Sequence, residues 1–421
     1  MKPEIKQRIE QMCRGEVPEG YVKKRKVVIP QQWGLPQIKD IASISSGSTP
    51  NRNNSEYWNG NIAWVTTGEL SSGHVNHTSE LITVKAVKET KMRIYPQGTL
   101  LMAMYGQGKT RGTVAILEID AAVNQACAAI TVKDGKSKFL FYQLKNSYQD
   151  IRKLSNTGNQ ENLNADIIKT YQVPWAPDEE QERISTILTT QDKVIELKEK
   201  RLAEKQRQKK YLMQQLLTGK KRLPGFSGEW KKVKIGSFIK EIDERSTVNN
   251  QYEILSVTKN GMVFQSSHFN KQIASENNVG YKVVRRENLV FSTMNLWMGS
   301  LDTLRICDIG IVSPAYKVFE FNQSLIVVNF AENYMKSAEM IWLYKANSEQ
   351  GASIVRRNLD LQALLNSKVA LPDISEQNAI AEVLSAADRD IELLRQDIEQ
   401  EKQKKKALMQ LLLTGIVRVK T

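Results

Sequence analysis

Two stretches of this chain repeat apolar residues at a seven-residue step. From Leu188 the step reaches Ile195, Leu202, Lys209 and Leu216; from Leu384 it reaches Ile391, Ile398, Lys405 and Leu412. A companion register runs through Ile184 and Leu212 in the first stretch, and through Ile380, Ala387, Leu394 and Leu408 in the second. No Gly or Pro interrupts Glu180 to Leu217, and most residues there are strong helix formers. Pro177 just before and Thr218-Gly219 just after supply a start and a stop. A sustained 3.5-residue period predicts two long helices packed as a coiled coil. About 40 residues of helix span about 60 Å.

The two tails are copies. At a fixed offset of 196, Glu180-Gln181 matches Glu376-Gln377, Asp192 matches Asp388, and Ile195-Glu196-Leu197 matches Ile391-Glu392-Leu393. LMQQLLTG at 212–219 returns as LMQLLLTG at 408–415. Asn162-Leu163 meets Asn358-Leu359, and VNQAC (123–127) has a looser echo in VSPAY (312–316). The chain is therefore a tandem duplication, each unit a divergent body followed by a matched tail. Antiparallel packing of the tails would make a pseudo-twofold object from one chain. At about 3.4 Å per base pair, 60 Å bounds its reach near 18 base pairs.

The bodies, 33–176 and 230–371, mix short β-branched runs with Gly/Asn/Ser-rich loops. Each closes on a helix-like stretch before a proline, KFLFYQLKNSYQDIRKL and then AEMIWLYKANSEQGASIVRR. This texture predicts α+β domains. The organisation expected is an N-terminal helix and basic segment (1–32), a first body (33–176), a central helix (177–219), a linker and second body (220–371), and a distal helix with a C-terminal tail (372–421).

Charge sharpens the picture. Sixty Lys and Arg against 46 Asp and Glu leave a net charge of +14, which favours a polyanionic partner, nucleic acid before membrane. No run of 18 apolar residues exists, and MKPEIKQRIEQMCRG lacks the apolar core of a signal peptide, so the cytoplasm is the expected compartment. Cys13, Cys127 and Cys307 form no CxxC pair, and His74 and His77 lie in a polar stretch with no ligand neighbours, so no metal site is expected.

The polar loops carry the candidate chemistry. In the first body these are Arg52, Asn53 and Tyr57 of SSGSTPNRNNSEYWNG, Tyr105, Gln107, Lys109, Thr110 and Arg111 of YGQGKTRG, and Asn159 and Gln160 after the closing helix. In the second body they are Lys259 and Asn260 of SVTKNG, Asn295 and Trp297 of STMNLWMG, and Arg356 and Arg357 of IVRRNLDLQ. Arg, Lys, Asn and Gln pair with guanine and adenine edges, and aromatic rings contact bases. Catalysis finds no support. GQGKT lacks the first glycine of a phosphate loop and leads into a strand-like run. Pro177-Asp178 with Glu196-Leu197-Lys198 lies along one helix, where nuclease carboxylates could not converge. No catalytic residue is expected.

Trp58-Asn59-Gly60 leading to Trp64-Val65-Thr66, VNQAC, Pro177 and Pro372 before the two Glu-Gln pairs, and the two LLTG endings together resemble the specificity subunit of type I restriction-modification systems. The resemblance spans about residue 21 to the end. It implies two target-recognition domains, each reading half of a bipartite sequence in double-stranded DNA. The antiparallel helices would act as a ruler and dock two methyltransferase subunits. Those subunits would carry S-adenosylmethionine, so this chain would hold no cofactor, and a restriction/translocase subunit would join for cleavage. Ile184, Leu188, Ile195, Leu202, Leu212, Leu216, Ile380, Leu384, Ile391, Ile398, Leu408 and Leu412 are the expected partner-binding positions. Lys198, Lys205, Lys209, Lys405 and Glu401 interrupt the apolar seam; long basic side chains there could snorkel, or partner helices could complete the middle of the rod, and partner helices are expected to cover it. The basic clusters at 209–210, 220–222, 231–232 and 404–406 are candidate phosphate contacts. A coiled-coil adaptor joining two protein-binding modules is the competing expectation.

Overall fold

A computed structural model describes residues 3–106, 108–154, 162–258, 261–268, 277–350 and 357–419. Both long helices form, as Asp178–Leu216 and Ile374–Leu413. The chain divides into two compact units, Met1–Leu197 with Ile398–Thr421, and Lys198–Asp397. Each long helix therefore gives part of its length to each unit.

Within both units the helix halves run antiparallel. In the first, Ile184 and Leu188 share a core with Met409, Leu412 and Leu413, while Gln191 donates to Glu401 at 2.7 Å. In the second, Lys198 pairs with Asp397 at 2.8 Å, Lys205 with Asp390 at 2.9 Å and Lys209 with Asp388 at 2.6 Å. Numbering rises on one helix as it falls on the other. The charged interruptions of the seam thus find ion-pair partners inside the chain. Lys405 closes on Asp192, and Glu401 receives Gln191. Such pairs add little stability singly, but they fix register.

The first unit holds a five-stranded sheet in the order Ala42–Ser46, Cys127–Val132, Leu100–Ala103, Val114–Leu117, His74–Val75, antiparallel except for the last pairing. A three-stranded sheet sets Trp58–Val65 between Glu80–Ile82 and Ala121–Val123. The second unit repeats the main order as Ile239–Ile242, Tyr316–Phe321, Leu289–Ser292, Leu301–Thr303, all antiparallel. The divergent bodies therefore share a four-strand plan, and the VNQAC and VSPAY echoes both lead into the second strand of that order.

The repeated tail sequence marks a repeated corner. In the first unit Glu180 is 1% exposed; it accepts the Trp33 indole N–H at 2.9 Å and both Arg418 donors at 2.8 and 2.9 Å. In the second, Glu376 is 1% exposed; it accepts Trp230 at 3.2 Å and Arg222 at 2.5 and 2.6 Å. Each arginine follows an LLTG turn, and that turn belongs to the other repeat's tail. The turn glycines have φ +68° at Gly219 and +73° at Gly415, and a Cβ at Gly415 would lie 2.5 Å from the Pro30 side chain. Both positions favour glycine for the left-handed backbone, and Gly415 also for the close approach. Arg222 is thereby tied to an internal carboxylate, and the expectation of a phosphate contact there is corrected.

Residues 3–32 also join this corner. Arg8 of helix Pro3–Cys13 donates to the Ile416 carbonyl, and the Tyr21 hydroxyl of hairpin Tyr21–Lys24/Val27–Pro30 donates to the Gly415 carbonyl at 2.6 Å.

Candidate nucleic-acid interface

Residues 108–112 belong to the connection between two neighbouring antiparallel strands, Leu100–Ala103 and Val114–Leu117. Its backbone is held from outside by helix Tyr148–Lys153. Arg152 donates to the carbonyls of Arg111 at 2.7 Å and Gly108 at 2.8 Å, and the Tyr148 hydroxyl donates to that of Lys109 at 2.7 Å. Tyr148 and Arg152 lie one helical turn apart, which puts both on one face. This pair lies within the closing stretch KNSYQDIRKL, where its four-residue spacing is the sequence signal for a shared face. Loop, helix and the 3₁₀ segment Thr67–Ser72 surround an open cleft of about 570 Å³.

The structure sorts the expected loop residues by environment. Lys109 and Thr110 line the cleft, and Tyr105 is exposed nearby. Arg111 is buried, only 7% exposed, so the expectation that its side chain meets DNA is corrected: it belongs to the body's interior. Gln107, Asn159, Gln160, Lys259, Asn260 and Arg356 lie outside the described residues.

Arg52 is anchored, although it sits in a polar loop. Its guanidinium stacks 4.1 Å from the Trp58 ring centroid and 4.9 Å from that of Trp64, and both its Nη atoms reach Glu80. That hydrogen bond raises the Arg52 pKa and lowers that of Glu80. Arg52, Trp58, Asn59, Ser79, Glu80 and Leu81 line a second, smaller cleft of about 260 Å³. Asn53 is exposed beside it. The Tyr57 hydroxyl donates to Glu89 at 2.7 Å, and this bond to a carboxylate raises its pKa.

In the second body, Arg357 and the 292–299 loop come together, the Arg357 amide donating to the Met294 carbonyl at 3.3 Å. The Arg357 guanidinium donates to the Ser348 carbonyl at 2.5 Å. Asn295 is half-buried and starts the 3₁₀ turn Leu296–Met298. Trp297 packs against the unit's core, which makes it a structural ring more than an outward contact.

The twelve apolar helix positions expected to bind partners face inward. Ile184, Leu188, Ile195, Leu216, Ile380, Leu384, Ile391, Ile398 and Leu412 are buried, and Leu202, Leu212 and Leu408 are half-buried. The most exposed apolar residues on these helices are the matched pair Leu197 and Leu393, 64% and 65% exposed, with Ile187 and Tyr211 of the first helix less so. Among the described residues no group of His, Cys, Asp and Glu could hold a metal ion, and no helix is long and apolar enough to cross a membrane.

Comparison with known proteins bears on the whole chain. The family described as "Type I restriction modification DNA specificity domain" matches twice, over residues 30–206 and 227–403. The putative type I restriction enzyme MjaX specificity subunit of Methanocaldococcus jannaschii is 25% identical over 93% of this chain and 95% of its own length. The MjaIX specificity subunit of the same organism is 34% identical, over 41% of this chain and 40% of that protein. Among solved structures, the S subunit of a type I system from M. genitalium has a TM-score of 0.51 at 13% identity, covering 93% of this chain and 98% of that one. A chain from a study of complex assembly and conformational transition of the type I R-M system has a TM-score of 0.59 at 14% identity, covering 92% and 99%.

Proposed function

Because this chain belongs to the type I restriction-modification DNA specificity family, we propose that each of its two recognition domains reads one half of a bipartite site in double-stranded DNA. The observation that carries this reading is the doubled domain, with one buried corner built twice, around Glu180 and around Glu376. The long helices set the gap between the half-sites. The chain itself performs no chemistry: two methyltransferase subunits carry S-adenosylmethionine, a restriction subunit joins them for cleavage, and the complex works in the cytoplasm. Leu197 and Leu393, equivalent and outward-facing, suit a partner that arrives in two copies.

Methylation mapping in cells that carry this chain with its methyltransferase tests the reading. Exchanging residues 33–176 for another first domain is expected to change one half-site and leave the other. Loss of selectivity in both halves, or binding to a protein with no salt-dependent, sequence-selective DNA binding, would favour the adaptor reading.

A further inference from the structure

The cleft beside the 108–113 loop has a chemistry of its own. Among the described residues its lining holds two cations, Lys109 and Arg152, five hydroxyls from Thr67, Ser71, Thr110, Thr113 and Tyr148, and no carboxylate. The acids nearest in sequence are engaged elsewhere. Glu69 accepts from the backbone N–H groups of Thr66 and Ser79, and Asp150 pairs with Lys153 at 3.5 Å. Lys109 is exposed and has no ion pair or side-chain hydrogen bond among the described residues.

Arg152 and Tyr148 take up three loop carbonyls, those of Gly108, Lys109 and Arg111. This removes acceptors that would repel an anion and fixes the direction of the loop. At Gly112 the backbone has φ +81°, and a Cβ would lie 3.2 Å from the Arg152 side chain, so loop and helix are closely fitted. A fixed, open, donor-rich concavity with an exposed lysine at its edge suits an oxyanion.

The geometry points to this cleft as a seat for a phosphodiester of the duplex backbone, with Lys109 neutralising the phosphate and Arg152 positioning the loop. The assignment rests on the DNA-reading function above and adds the class of contact. The cleft holds the first half-site in place without reading its sequence. Base readout then falls to other parts of the first body.

The test uses the full chain in complex with its methyltransferase, bound to cognate and half-site-altered duplexes over a range of salt. Lys109→Gln is expected to weaken binding to every duplex by a similar factor. It should also make the plot of log affinity against log salt shallower by about 0.9, the release of one counterion. An unchanged slope overturns the assignment. So does a loss confined to duplexes that retain the first half-site sequence, which would make Lys109 a base reader. So does Lys109-dependent binding of inorganic phosphate without any change in the DNA salt slope, which would make this a small-anion site. If the unaltered complex shows no sequence selectivity, the functional reading itself fails, and that outcome is separate from these.

Discussion

Trp33 donates its indole N–H to Glu180 at 2.9 Å across 147 residues of sequence, and both side chains are 1% exposed. Through this contact the first body grips the start of the first long helix. Arg418, from the far end of the second, completes the carboxylate's shell. Trp33→Phe removes one donor to a buried charge and also empties part of the space filled by the buried indole. A loss of at least about 2 kcal/mol is expected, read by chemical or thermal unfolding. The matching Trp230→Phe is expected to cost less, because its bond to Glu376 is longer and Trp230 is half-buried. Equal or reversed costs would contradict this account of the corner.

The ion pairs between the helices predict a dependence on acid. A hydrogen bond from Lys205 holds the Asp390 carboxyl below its ordinary range. A carboxyl whose folded pKa is depressed stabilises the fold above its unfolded value, about 3.9, and that stability is lost as pH falls through the folded value. The difference in melting temperature between the protein and its Asp390→Asn variant should stay constant at neutral and mildly acid pH. It should close below about pH 4. A difference that persists undiminished into stronger acid would mean the pair does not form.

Leu197 and Leu393 offer a test of partner docking. Leu197→Lys with Leu393→Lys should leave the melting temperature almost unchanged, since exposed substitutions commonly shift stability by no more than about 0.5 kcal/mol. The double variant is expected to weaken assembly with the methyltransferase subunit, measured by analytical ultracentrifugation. Assembly at undiminished affinity would place docking on another surface.

Thiol labelling checks the core of the first body. Cys127 opens a central strand and is fully buried, with desolvation pushing its thiol pKa up to about 12. Cys13 is exposed on the N-terminal helix. Iodoacetamide should modify Cys13 in the native protein and reach Cys127 only on unfolding, because the thiolate is the reacting form. Rapid native labelling of Cys127 would remove strand Cys127–Val132 from the interior.

The long helices could be read directly because their signal is local and sustained. A 3.5-residue apolar period and clean terminal residues define a helix whatever else the chain does. The charged interruptions at Lys198, Lys205 and Lys209 looked like gaps in the seam, since sequence alone does not show Asp397, Asp390 and Asp388 facing them. Likewise Arg52, Arg111 and Trp297 lie in polar stretches, yet Arg52 is stacked and bonded, Arg111 is buried and Trp297 packs on the core. The spacing of Tyr148 and Arg152 marks a shared helix face, but not the task of Arg152, which is to hold carbonyls about 40 positions upstream.

The order of residues alone established the duplication, the two helices and their matched endings, because repeats and periods are properties of a line. Folding in three dimensions decided what those endings do. Each LLTG turn and its following arginine close on the carboxylate of the other repeat, Arg418 on Glu180 and Arg222 on Glu376. Buried charge must find its partner wherever the chain passes, and in both corners that partner lies more than 150 residues away.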